Sequence, residues 1–402
     1  MTSYGSSLLG VAWLGLWALS CNPASPPAVP RPSPPQEPLP QHEFSPLTHS
    51  PRYDDHATPD TSSCGIGDEG LRKVAERTLD DYIKTGVLPN SETLVARLRD
   101  VGLPYVWVRA WAGHAASRAA LFPELGSWAT SNAPIGSRRC GLAFDASQTR
   151  AVALQADVLA DVAPIPRQGS VGQWLPFEAR LWVPVTEVAL IALGPKGLPH
   201  GVPVTTSAEG RVRAHLPLAA PGRWLFQLLP TTESGARPAA EIEVFVGQSI
   251  PQNPIIEPVP GETSVECSDE ACDVAWLLDM VNRARDSERL PPLQRSPMLE
   301  QLARQHADAM RDARRLAHDL GEGDAYIRSA NHLPSLHLLG ENLAHAGSTL
   351  DAHRALWRSP SHRRNLLHRD HTHMGVGVAR GERGDLWVCQ LFAAEEAPSG
   401  AE

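Results

Sequence analysis

Three side chains far apart in the chain are of the types that hold a divalent metal or move a proton. They are His318 in Ala317-His318-Asp319, Glu341 in Gly340-Glu341-Asn342, and His362 in Trp357-Arg358-Ser359-Pro360-Ser361-His362. Two neutral imidazoles and one carboxylate from three separate segments make a His₂Glu set, which binds Zn²⁺ or another divalent ion and leaves positions open for water or substrate. Such an ion polarises a carbonyl or activates water. His318, Glu341 and His362 are therefore candidate metal ligands and candidate catalytic residues, with Glu341 serving as ligand or as general base. The structural alternative has Glu341 and Asn342 fixing the loop after Gly340 through backbone hydrogen bonds.

These residues need rigid supports. Ser359 and Pro360 have the types expected at the cap and first position of a short helix that carries His362. Upstream, Ser348 with Asp351 reads as a capping box for a helix ending at Trp357. A first helix carries Val274, Leu277, Leu278, Val281 and Ala284 on one face; a second starts at Ser296-Pro297 and buries Leu299, Leu302, Ala303, His306 and Met310; a third spans 324–330. Two strands follow, 372–379, where Met374, Val376 and Val378 share a face, and 386–392, across a turn containing Gly381 and Gly384. Helices around a small sheet make an α+β domain of α-β-α layers.

These motifs, from Cys272 to Phe392, resemble the CAP superfamily, which includes cysteine-rich secretory proteins, insect venom antigens and plant pathogenesis-related proteins. The resemblance is to its bacterial branch. It implies a three-layer sandwich with a central cleft, where two histidines and acidic residues hold a divalent metal in some members. By motif, His318 matches the first histidine, Glu341 the acid of the Gly-Glu-Asn signature, and His362 the second histidine. Sterol-like and other lipids, small molecules and peptides are the ligands that the resemblance allows. One departure matters. Animal and plant members have a second acid a few residues after the helical Trp, and this chain has Ser359 there. A general base is then short, which favours a binding module over the alternative, a metal-dependent, peptidase-like hydrolase. No Gly-x-Ser-x-Gly elbow, phosphate-binding glycine loop or His-Glu-x-x-His helix offers another chemistry.

With 402 residues, 42% hydrophobic and 20% charged, the chain is long enough for several domains. The net charge of -9 gives no basic footprint, so no nucleic-acid partner is expected. Residues 1–21 read as an export signal: an apolar run over 8–19, too short to span a bilayer, leads into Ala18-Leu19-Ser20-Cys21. That tetrad resembles a bacterial lipobox, which makes Cys21 the lipid anchor and the membrane a partner at the cell envelope. The alternative is an ordinary secretory signal, and both readings export the protein. Residues 22–63 form a Pro-rich linker. The region 64–146 reads as small and mainly helical, with a strand or buried connector at 105–111. Over 151–247 the apolar period becomes two, in short strands divided by Gly, Pro and Ser turns, which suggests an all-β, immunoglobulin-like sandwich used for spacing or partner contact. A second linker covers 248–266, and the CAP domain is expected over 267–394. Cys64 and Cys140 are candidates to pair, Cys389 to close on Cys267 or Cys272, with one thiol left over. Among other histidines, His306 reads as a satisfied core residue, His353 as one that approaches the cleft, and His368, His371 and His373 as a solvated loop.

Overall fold

Along the strand 373–380, Met374, Val376 and Val378 alternate with Gly375 and Gly377, and this alternation explains the layering of the C-terminal part. A methyl group on Gly375 would run into the backbone of Leu299 and Glu300, and one on Gly377 into that of Ala303 and Arg304. A helix therefore lies directly on the glycine face, while the branched face packs into a separate core. The computed structural model describes residues 64–252, 258–263, 265–330 and 336–395, all within a single compact unit. The export signal with Cys21 and the Pro-rich segment 22–63 lie outside the described residues.

The first segment contains β1 (Ile66–Gly67), α1 (Glu69–Thr85), α2 (Ser91–Asp100), β2 (Val108–His114), α3 (Arg118–Thr130), β3 (Ser137–Phe144) and β4 (Arg150–Val158). Asp68 caps α1, accepting the Leu71 amide at 2.9 Å. Asn90 caps α2, accepting the Thr93 amide at 2.9 Å. The strands form one sheet in the order β1-β3-β4-β2. On β4, Val152, Leu154, Ala156 and Val158 share a core with Leu71, Val74 and Leu98, whereas Ala151 and Ala153 share another with Leu121 and Leu125. The expectation of a mainly helical region is thus corrected to a sheet with helices on both faces, and the sheet runs past residue 146 to Val158. A strand buried on both sides loses the polar alternation that would reveal it. Cys64 and Cys140 are disulfide-bonded, with 5.8 Å between their Cα atoms.

The second segment has ten strands: β5 (Ala160–Val162), β6 (Gln168–Gly169), β7 (Trp174–Leu181), β8 (Glu187–Leu193), β9 (His200–Val202), β10 (Val204–Thr206), β11 (Arg211–Pro217), β12 (Gly222–Thr232), β13 (Gly235–Ala236) and β14 (Ala240–Val246). They make a four-stranded sheet, β10-β11-β7-β5, and a larger one, β6-β14-β12-β8-β9, with β13 paired to β12. Phe177, Ala179 and Leu216 of the first sheet and Phe226, Leu228 and Ile242 of the second meet in one core. On the first sheet, β7 alternates buried and exposed residues. On the second, β14 is buried throughout, because its other face bears polar residues that meet the rest of the chain.

The third segment contains α4 (Glu270–Ser287), β15 (Gln294–Arg295), α5 (Pro297–Ala313), α6 (Ala325–Ala330), β16 (Leu336–Ala346), α7 (Thr349–Arg358), α8 (Pro360–Leu366), β17 (His373–Arg380) and β18 (Leu386–Glu395). Its sheet order is β15-β17-β18-β16. Met374, Val376, Val378, Val388 and Phe392 pack with Trp276 and Met280 of α4 and Trp357 of α7. Ala379, Trp387, Cys389 and Leu391 pack with Leu299, Ala303 and Met310 of α5 on the opposite face. Helix, sheet and helix form the three layers expected. Val259, placed in a linker by the sequence, is buried in this core instead.

Two further expectations are corrected. Cys267 and Cys272 bond to each other, and Cys389 is free and buried in β18. His371 is only 3% exposed, stacking on Phe392 at 5.4 Å. Its loop is pinned by Arg285, a fully buried guanidinium that donates to the carbonyls of Pro291, Leu366 and His368 at 2.8–3.0 Å.

His353 does not approach the cleft. It is fully buried on α7, edge-on to Trp276 at 6.3 Å, and neither ring nitrogen has a hydrogen-bond partner among the described residues. Burial pushes its pKa down to about 4, against a weaker upward pull from Glu262. The unfolded chain therefore takes up a proton that the folded chain refuses. The stability held by neutral His353 is complete above its ordinary value of 6.5 and is lost as pH falls towards about 4. That loss amounts to ~3 kcal/mol. His353→Leu, which removes the orphaned nitrogens, is expected to raise the thermal midpoint at pH 7 and to lessen the acid-induced loss by that amount. Urea denaturation across this pH range measures both effects, and an unchanged pH dependence would contradict the assignment.

Candidate functional site

Glu341 points from β16 into the protein, with its side chain only 5% exposed. A carboxylate in such a place must be answered by donors. His318 Nδ1–H donates to Oε2 at 2.6 Å, the Arg328 guanidinium from α6 pairs with Oε1, and the Cys389 thiol donates to Oε1 at 3.5 Å. Burial pushes the Glu341 pKa upward, but the hydrogen bond from His318 and the charges of His318 and Arg328 outweigh it and hold the group below the usual carboxylate range. For Cys389, burial and the adjacent carboxylate push the thiol pKa well up.

The loop bearing His318 is fixed from several sides. Arg328 also donates to the Gly323 carbonyl at 2.8 Å. His306 donates from Nε2 to the Ala317 carbonyl at 2.9 Å, which confirms it as a satisfied core histidine. The carboxylate of Asp319 accepts the amides of Gly321 and Gly323 at 2.6 and 3.0 Å. The bond from Nδ1 to Glu341 fixes the orientation of the His318 ring.

His362 is brought to the same place by the Asn of the Gly-Glu-Asn motif. Asn342 Nδ2 donates to the His362 carbonyl at 3.1 Å. Asn365, one turn along α8, donates to the Glu341 carbonyl at 3.1 Å and to Asn342 Oδ1 at 2.9 Å. Burial, with His318 adding a smaller repulsion, pushes the His362 pKa down to about 3, so this imidazole is neutral at pH 7. Ser359 makes no side-chain cap bond. The cap comes from β12, where Gln227 Oε1 accepts the Ser361 amide at 3.0 Å and Gln227 Nε2 donates to Ser359 Oγ at 3.1 Å.

His318 and Glu341 are thus in contact, and the helix that carries His362 is tied to the Glu341 strand through Asn342 and Asn365. They do not form the expected His₂Glu ligand set. Among the described residues no group of three His, Cys, Asp or Glu side chains is placed to hold one ion. Both Glu341 oxygens are already engaged, which makes it the orienting partner of His318 rather than a third ligand.

A sequence profile described as "CAP: Cysteine-rich secretory protein family" matches residues 278–391. The C-terminal part of the chain is a bacterial CAP domain. Over 118 residues the chain is 29% identical to the uncharacterized protein YkwD of Bacillus subtilis (strain 168), a match that covers 29% of this chain and 45% of that protein. Among solved structures, an outer surface protein from Borrelia burgdorferi is 22% identical, covering 31% of this chain and 93% of that one at a TM-score of 0.30. An extracellular protein containing a SCP domain from Bacillus anthracis is 18% identical, covering 55% of this chain and 85% of that one at a TM-score of 0.29.

Sequence reasoning missed four residues of the CAP site: Arg328, Asn365, Cys389 and Gln227. Asn365 had a signal, since it lies three residues after His362 on one short helix and therefore on the same side. Arg328 and Gln227 had none, because their partners are distant in the chain.

The Glu341–Arg328 pair yields a stability test. Removing one member of a buried pair strands the other charge, at a cost of ~3–5 kcal/mol, whereas replacing both costs much less. Arg328→Met is expected to show that loss in urea denaturation, and the double variant Arg328→Met, Glu341→Leu to recover a large part of it. Additive losses in the double-mutant cycle would mean that the two groups do not interact.

Proposed function

We propose that this chain is an exported, lipid-anchored protein of the bacterial cell envelope, whose CAP domain binds a small ligand beside His318 and His362 without turning it over. The observation that supports this reading is the engagement of both Glu341 oxygens, by His318 and Arg328, which commits the carboxylate to holding His318 in place rather than to taking a proton from water. No observation favours the metal-dependent hydrolase. Two imidazoles alone would give Zn²⁺ an incomplete ligand set.

Helix α6 supports a lipid-like ligand. Its Arg328 reaches the floor of the site, while Tyr326 and Ile327 are 65% and 59% exposed on the same short helix. Two exposed apolar side chains on the helix that holds Arg328 offer surface that an amphiphile can cover. Export is supported by the lipobox at Cys21 and by two disulfides, which persist in oxidising compartments. The Bacillus anthracis protein is described as extracellular. No helix among the described residues is long and apolar enough to cross a membrane, so an anchor would have to come from elsewhere, and lipidated Cys21 supplies it. In this reading 22–63 spaces the folded part from the membrane, and the two-sheet segment is an immunoglobulin-like unit.

Displacement of a fluorescent fatty acid from the purified protein tests the ligand class. Binding is expected to weaken at least about tenfold in the double variant Tyr326→Ser, Ile327→Ser, the scale for losing two apolar contacts. His362→Ala should weaken it as well, while Zn²⁺ uptake above that of His318→Ala and His362→Ala variants should be slight. Turnover of a peptide or ester that Glu341→Gln abolishes would overturn the binding reading. Anchoring is read separately: Cys21→Ala should move the protein from the membrane to the soluble fraction.

A further inference from the structure

One hairpin of the two-sheet segment touches both histidine-bearing segments of the CAP domain. At its turn, the Ser234 carbonyl accepts the amides of His318 and Asp319 at 3.1 and 3.3 Å. Gly235, at φ +98°, lies so close that a Cβ there would collide with the His318 Cβ and come within 3.0 Å of Cγ and 3.1 Å of Cδ2. Next to the turn, Arg237 is 6% exposed and donates to the Leu316 carbonyl at 2.8 Å and to Ser234 Oγ at 2.9 Å. Trp107 backs it, with the guanidinium 5.3 Å from the ring centre. Further down β12, fully buried Gln227 holds Ser359 and Ser361 at the start of the helix that carries His362. Gln227 is itself fixed by Glu241 at 2.8 Å, and Glu241 pairs with Arg99 of α2 at 3.3 Å.

We propose that the β12–β13 hairpin is a working part of the CAP site, with Gly235, Arg237 and Gln227 acting as positioning residues that set the relation between the His318 and His362 imidazoles. Surface segments that merely touch would meet through exposed side chains and water. Here the contacts are part-buried hydrogen bonds made by two buried side chains, Arg237 and Gln227, which fixes geometry more closely than exposed contacts do. Gly235 packs closely against the Cβ–Cγ–Cδ2 side of His318, where a larger residue would displace the ring. The idea rests on the binding reading only in treating the cleft as a ligand site. Its geometry stands apart from any ligand.

The test uses the full chain with ¹⁵N-labelled histidine and compares imidazole ¹⁵N signals at constant pH 7. Gly235→Val and Arg237→Ala are expected to shift the His318 ring signals, and Gln227→Leu those of His362. Gly201→Val, in the same segment but with nothing near its Cβ, should shift neither. Any side chain at a φ of +98° strains the turn, so Arg237→Ala and Gln227→Leu, which leave that backbone untouched, decide the matter if Gly235→Val does not fold. Unchanged His318 and His362 signals in these two folded variants would overturn the proposal. Absence of fatty-acid binding by the parent protein, with the shifts present in the variants, would instead remove the lipid reading and leave the hairpin's role intact.

Discussion

A carboxylate buried on β16, an edge strand of the C-terminal sheet, organises the surrounding chain. Glu341 cannot remain ionised there without donors. The donors must come from elsewhere, and each brings a segment with it. Arg328 fixes α6, His318 fixes the loop after α5, and Cys389 fills the neighbouring strand. The same interaction that positions His318 also removes Glu341 from use as a free base. Structure and chemistry compete for one side chain, and the ion pair takes both oxygens.

What the sequence revealed about the fold depended on how local each signal was. The face shared by Met374, Val376 and Val378, the Ser296-Pro297 start of α5 and the Ser348–Asp351 capping box rest on residues within a few positions of each other, and all three appear in the structure. The sheet of the first segment was hidden because β4 is apolar on both faces. Pairing of the cysteines was hidden for a different reason. Cys267 and Cys272 are close enough in the chain to bond across the start of α4, which leaves Cys389 no partner.

The candidate site was legible as residue types and illegible as roles. His318, Glu341 and His362 do converge, but whether a carboxylate is a ligand, a base or half of an ion pair depends on its neighbours. The decisive neighbour, Arg328, sits in a six-residue helix with no motif of its own. Asn342 shows the same limit: the sequence suggested that it pairs with its own backbone, whereas it grips the His362 carbonyl twenty residues away.

The place of the absent second acid can now be read physically. Gln227 Nε2 is shared between Ser359 Oγ and Glu241 Oε1, so a carboxylate at position 359 would meet Glu241 around a single amide group. Glu241 is 7% exposed, which leaves little water to screen the repulsion between like charges. Serine avoids it, being small and able to accept the amide proton. Once Gln227 also takes the Ser361 amide, the helix start is satisfied without any acid. Ser359 therefore suits the contact between β12 and the start of α8, where a carboxylate would face Glu241.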